Sequence, residues 1–142
     1  MKIAVAEKLL ASLENDMVAL KSQLLVSAGL SKEHFSSSLC SLQEKLEQKL
    51  SLQMKIEKAK ILNVFDESKC IREAELLVES LLYKESLMYD IVESMYKAVL
   101  AGVAKPDSID FTAYFSQSRK VREMVMEIDN KLQIMKYTID VD

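Results

Sequence analysis

The chain has 142 residues, 49% apolar and 29% charged, a composition that excludes a disordered chain and is typical of folded globular or coiled-coil proteins. Its formal net charge of -3 argues against a dedicated nucleic-acid binder, because phosphate contacts require a basic excess. No apolar run approaches the roughly 20 residues that cross a bilayer. Glu7 and Lys8 also interrupt the first apolar segment, so we expect a cytoplasmic protein without a signal peptide.

Two glycines and one proline are the only strong helix breakers in the sequence. Both residue types weaken helix interiors, so their scarcity predicts long uninterrupted helices and leaves few residues to form the turns between strands. We therefore predict an all-α fold, a bundle of about four long helices in one domain that spans residues 1–142.

The first helix is predicted over residues 3–28, and Gly29 is expected to end it in the left-handed conformation. Its apolar residues alternate strictly in steps of three and four, which keeps a narrow stripe facing one partner helix, as in a coiled coil. This seam consists of Ile3, Ala6, Leu10, Leu13, Met17, Leu20 and Leu24.

The second helix is predicted over residues 36–62, with a cap from one of Ser36, Ser37 and Ser38. Its main apolar positions are Leu39, Leu42, Leu46, Leu50, Met54 and Ile61, with Leu52 and Ile56 to one side. The spacing drifts toward steps of four, which indicates a wider buried face and more than one neighbouring helix. Its lysines and glutamates are interspersed, as on a solvated bundle face, although an amphipathic helix on an anionic membrane is an alternative.

The third helix is predicted over residues 68–101, between a cap from Asp66 or Ser68 and a stop at Gly102. Its seam consists of Ile71, Ala74, Val78, Leu81, Glu85, Met88, Val92, Met95 and Val99. Further apolar side chains lie beside this seam, namely Leu77, Leu82, Tyr89, Ile91 and Tyr96. The third helix is therefore either the central helix of a monomer or the carrier of a hydrophobic dimer interface.

The fourth helix is predicted over residues 110–137, after a turn imposed by Pro106 and a cap from Asp107 or Asp110. Its seam consists of Tyr114, Ser118, Val121, Val125, Ile128, Leu132, Met135 and Ile139. Short connections favour antiparallel neighbours and a four-helix bundle. The helices are long for a chain of this size, so two extended hairpins that require a second subunit are an alternative, and we expect an oligomer.

Glu85 and Ser118 are the polar members of otherwise apolar seams. A carboxylate at a helix interface is costly without a donor, and polar seam residues fix register or oligomer state in coiled coils. We therefore take Glu85, Ser118, Tyr89, Ile91 and Tyr96 as candidate interface or register residues. The hypothesis is that Glu85 meets a lysine or a tyrosine hydroxyl of a neighbour, and the alternative is that it turns to solvent.

No set of residues in the sequence points to catalysis. His34 is the only histidine, which excludes a Glu-x-x-His metal bundle, and we expect it in an exposed loop. Cys40 and Cys70 lack a paired-cysteine motif and are expected to be ordinary thiols. The glycines form no phosphate-binding loop. We therefore expect no catalytic residue, no metal and no cofactor.

Three segments resemble the septicolysin-like family of small bacterial helical proteins. KIAVAEKLLASLENDMVALKSQLL resembles that family's first helix, and KAKILNVFDESKCIREAELLVESLLYKESL resembles its middle, where a helix passes through an acidic turn into the next helix. SIDFTAYFSQSRKVREMVMEIDNKLQIMKYTIDV is similar to its last helix. The resemblance implies an all-helical bundle and a homo-oligomer, and it implies no catalytic residue.

Taken together, these features predict a non-enzymatic helical protein that oligomerises or binds a protein partner, without nucleic acid and without a membrane. The alternative is a membrane-active, cytolysin-like protein that acts through an amphipathic helix. An enzyme with a site that no motif reveals is the third hypothesis.

Overall fold

The computed structural model describes residues 1–108 and 110–142, and most of that part of the chain is helical. The helices are α1 (Ile3–Ser27), α2 (Lys32–Leu62), α3 (Ile71–Leu100) and α4 (Phe111–Thr138). Two short antiparallel strands, β1 (Val64–Asp66) and β2 (Lys69–Cys70), separate α2 from α3, and a 3-10 turn (Pro106–Ser108) precedes α4. The all-α prediction is confirmed for the described residues, whereas coiled-coil packing and oligomeric state stay predictions.

A β-hairpin replaces the loop that was expected between the second and third helices. The Oδ1 atom of Asp66 accepts hydrogen bonds from the backbone N–H of Ser68 at 2.8 Å and of Lys69 at 3.0 Å. Asp66 therefore holds a tight turn without glycine and does not cap a helix. The expected start of the helix at residue 68 is wrong, because α3 begins at Ile71, where the Glu73 carboxylate accepts the N–H of Cys70 at 2.8 Å.

The remaining helix ends confirm some capping predictions and correct others. The second helix begins at Lys32 rather than residue 36, because the Ser31 hydroxyl accepts the backbone N–H of His34 at 3.2 Å. Gly29 lacks the expected positive φ, whereas Gly102 has a φ of 73° and follows α3 as predicted. Asp110 caps α4, since its Oδ1 atom accepts the N–H of Ala113 at 2.9 Å.

The chain divides into two compact units, residues 1–64 with 134–142 and residues 65–133. A single domain over residues 1–142 stays a prediction. In the first unit, α1 and α2 pack closely along each other. Every residue of the predicted α1 seam is buried or half-buried, whereas Val18 and Leu25 outside the seam are exposed. The first seam therefore identifies the buried face of α1.

The buried face of α2 differs from the predicted one. We call it the inner row, and it consists of Ser38, Leu42, Lys45, Lys49, Leu52, Ile56 and Ala59, continued by Asn63 directly after the helix. Two of its lysines form ion pairs with α1, Lys45 with Asp16 at 3.8 Å and Lys49 with Glu14 at 3.3 Å. Lysine stems cover apolar surface while their ammonium groups reach carboxylates, so charged residues occupy positions that an apolar pattern overlooks.

Most of the predicted apolar positions of α2 are instead exposed. We call this set the outer row, and it consists of the half-buried Leu39 and the exposed Leu46, Leu50, Met54 and Ile61. The prediction that these residues belong to a wide buried face is therefore wrong for the single chain. The exposed fraction reaches 61% at Leu50 and 64% at Met54.

The last residues of the chain pair with the first ones and do not form a free tail. The N–H of Ile3 donates to the carbonyl of Ile139 at 2.9 Å, and the N–H of Val141 donates to the carbonyl of Met1 at 2.9 Å. The Lys2 ammonium lies 2.9 Å from the Asp140 carboxylate, and this hydrogen bond lowers the pKa of Asp140 below its ordinary value. A short antiparallel contact therefore joins both ends within the first unit.

Candidate helix-pairing site

The two polar seam residues of the second unit meet each other. Ser118 of α4 donates its hydroxyl to Oε1 of Glu85 on α3 at 2.8 Å, and Nε of Arg122 donates to the same oxygen at 2.6 Å. The side chain of Glu85 is 15% exposed and Ser118 is buried, whereas the side chain of Arg122 is 73% exposed. The expected lysine or tyrosine partner is therefore wrong, since a serine and an arginine supply the donors.

The surroundings of Glu85 favour its charged form. The hydrogen bond from Arg122, followed by that from Ser118, lowers the pKa of Glu85 below its ordinary value, against the opposing effect of desolvation. An ionised carboxylate with two donors is an acceptor and holds no proton to give. This arrangement joins α3 to α4.

A cavity of about 240 Å³ lies beside this pair, where α3 and α4 are less closely packed than α1 and α2. Its apolar part is formed by Met88, Tyr114 and Val121. Its polar part is formed by Glu85 and Ser118 together with Lys84, Gln117 and Lys120. The cavity is open to solvent.

The other candidate residues of α3 lie on its surface. Tyr89, Ile91 and Tyr96 are 57%, 55% and 53% exposed, and their side chains do not join the Glu85 pair. The ring of Tyr96 contacts that of Phe111 edge to face at a centroid distance of 6.3 Å. The central-helix alternative is therefore wrong for these residues in the single chain, and the dimer-interface alternative stays a prediction.

Sequence reasoning missed a buried ionic cluster in the first unit. Oε1 of Glu7 lies 2.7 Å from Nζ of Lys60 and 3.3 Å from Nζ of Lys136, and both lysines are more than nine-tenths buried. Charged residues are assigned to the surface by default, since full burial of lysine is rare unless it is paired. The one available signal is that Lys60 adjoins Ala59 of the inner row and Lys136 adjoins Met135 of the α4 seam.

The residues that bear on metal and thiol chemistry are dispersed. His34 is exposed as expected but lies in the first turn of α2, where its Nδ1 is 2.7 Å from the Ser31 hydroxyl. Cys40 and Cys70 are free thiols. Among residues 1–108 and 110–142, no group of histidine, cysteine or acidic side chains has the arrangement of a metal site. Within the same residues, no helix combines the length and the apolar character that crossing a bilayer requires.

No family model, curated protein or solved structure matches this chain.

Proposed function

We propose that this chain is a non-enzymatic, cytoplasmic protein that acts through helix-to-helix contacts and forms a homo-oligomer. The observation that carries the proposal is that large apolar side chains remain exposed in ordered rows rather than singly. Isolated exposed apolar residues are normal, but contiguous apolar patches mark interaction surfaces.

Two such rows support the proposal. The outer row of α2 exposes Leu46, Leu50, Met54 and Ile61. On α3, exposed Leu82, Tyr89 and Tyr96 follow one another at intervals of seven residues, so they share one side of the helix. Tyrosine is enriched at protein interfaces, where its ring buries apolar area and its hydroxyl keeps a polar partner.

The Glu85 pair supports the helix-contact part of this proposal, because its carboxylate accepts hydrogen bonds from two side chains of α4. We also propose that the chain is a distant relative of the septicolysin-like family, whose resemblance implies the same kind of helical homo-oligomer.

Light scattering coupled to size-exclusion chromatography tests the proposal on the purified full chain. We expect a mass that is a multiple of 16.1 kDa and that falls on dilution. A mass of one chain at all concentrations, with no protein partner recovered by cross-linking in cells, would refute it.

A further inference from the structure

The outer row of α2 is symmetric about Leu50. Leu46 and Met54 lie four residues on either side of Leu50, and Leu39 and Ile61 lie eleven residues on either side. At 100° per residue, these five side chains fall within an arc of about 80° on one face of the helix. A row that reads the same in both directions matches its own copy when two helices run antiparallel.

The polar interruptions of the row obey the same symmetry. Gln43 and Glu57 lie seven residues on either side of Leu50 and on the same face, so that the steps along the row are 4-3-4-4-3-4. In an antiparallel pair, Gln43 of one copy lies opposite Glu57 of the other, and an amide is a donor for a carboxylate. The eleven-residue period keeps this face aligned with a nearly straight partner helix over about 33 Å.

The charges beside the row are also complementary for the antiparallel direction. Glu44 and Glu47 precede the centre of the row, and Lys55 and Lys58 follow it, all on the same flank. Antiparallel pairing sets Glu47 beside Lys55 of the second copy and Glu44 beside Lys58, because a two-fold axis perpendicular to the helices keeps this flank on the same side of both copies. Lys55 lies 3.7 Å from Asp142 of its own chain, at a position where both side chains are more than half exposed.

The inner row, centred about 120° around α2 from the outer row, is already covered by α1. Lys45 and Lys49 of the inner row reach acidic residues of α1, and Ile56 and Ala59 are buried. The outer row borders the α1 contact at Leu46 and is otherwise exposed, so it is available to a second molecule.

Resting on the proposed function, we infer that the outer row of α2 binds the same row of a second copy of this chain. The two α2 helices are antiparallel about a two-fold axis at Leu50, so Leu50 meets Leu50, Leu46 meets Met54 and Leu39 meets Ile61. An isologous contact of this kind closes on itself as a dimer.

Cysteine cross-linking in the full chain tests this geometry, in a background where Cys40 and Cys70 are replaced by serine. Leu50→Cys is expected to form a covalent dimer on mild oxidation, since the two-fold axis brings its β-carbon near that of its copy. Leu46→Cys alone is the matched control. In the antiparallel pair the substituted positions of the two copies are separated by about eight residues, or roughly 12 Å, along the helix axis, which is too far for a disulfide. A mixture of Leu46→Cys and Met54→Cys chains is expected to recover the cross-link.

Light scattering on Leu50→Glu supplies the second measurement, with circular dichroism to verify that the exposed substitution leaves the helices intact. We expect its mass to fall relative to the unmodified chain, because two carboxylates then meet on the axis. Equal cross-linking of Leu46→Cys and Leu50→Cys overturns the antiparallel geometry. An oligomeric mass with no cross-link at Leu50 and no loss of mass in Leu50→Glu overturns this inference alone. A single-chain mass for the unmodified protein, with no partner recovered by cross-linking in cells, overturns the proposed function as well.

Discussion

Replacement of Glu7 by glutamine is expected to destabilise the protein strongly, because it removes the carboxylate that lies between two buried lysines. Lys60 and Lys136 are 5% and 8% exposed, and both reach the same oxygen of Glu7. Removing one partner from a buried ion pair costs about 3–5 kcal/mol. Glutamine retains one acceptor oxygen and the side chain of Glu7 is 30% exposed, so we expect the lower end, about 3 kcal/mol.

Thermal and urea unfolding at one protein concentration measure this effect. For a chain of this length the unfolding entropy is about 0.3 kcal/mol/K, so about 3 kcal/mol lowers the Tm by about 10 °C. Glu14→Gln is the control, since Glu14 also pairs with a lysine of α2, but its side chain is 52% exposed. That exposed pair is worth about 0–1 kcal/mol. Equal losses in the two variants would refute the argument from burial.

Three further predictions concern a helix pair, a turn and a helix end. Glu85→Leu removes the acceptor of the buried Ser118 hydroxyl and is expected to lower the free energy of unfolding in urea by about 1–3 kcal/mol. An unchanged unfolding midpoint together with an unchanged oligomeric mass would refute the hypothesis that Glu85 fixes helix register. The backbone hydrogen bond from Ser68 lowers the pKa of Asp66 to about 2 from 3.8, so its contribution to stability is complete above pH 3.8 and is lost as the pH falls through about 2. Asp66→Asn should therefore lose less stability than the unmodified chain between about pH 5 and pH 2, and an equal loss in both would contradict this. Gly102→Ala, at a φ of 73°, should cost about 1–2 kcal/mol, whereas Gly29→Ala, whose φ is not positive, serves as the neutral control.

The three seams of α1, α3 and α4 were predictable because apolar side chains occupy almost every position at the spacing of a buried stripe. The inner row of α2 was not predictable from apolar spacing. Lys45 and Lys49 occupy positions on the buried face and pair with acidic residues of α1. A pattern that counts only apolar letters selects the outer row, with Leu50 at its centre. Which face of α2 is buried therefore depends on the acidic residues of α1 that pair with these lysines, and the sequence of α2 alone does not show it.

For the polar contacts, the sequence shows which positions are polar, but it does not show which partners from other segments they meet. The polar seam positions Glu85 and Ser118 were visible in the sequence, but the contribution of Arg122 depends on how α3 and α4 align. The hairpin was missed because Asp66 forms its turn in place of glycine. The Glu7 cluster was missed because its lysines are distant in the sequence and only folding brings them together.

The contact between the two ends of the chain affects the order in which the first unit is completed. The helical hairpin of α1 and α2 closes over a few tens of residues, whereas the pairing of Ile3 with Ile139 encloses residues 3–139. The longer closure costs about 1.4 kcal/mol more in chain entropy than one of 30 residues. During translation Lys136 is synthesised 76 residues after Lys60, so the pair of Glu7 with Lys60 can form before Lys136 exists. Until then, the nascent hairpin lacks the residues that cover its first turn.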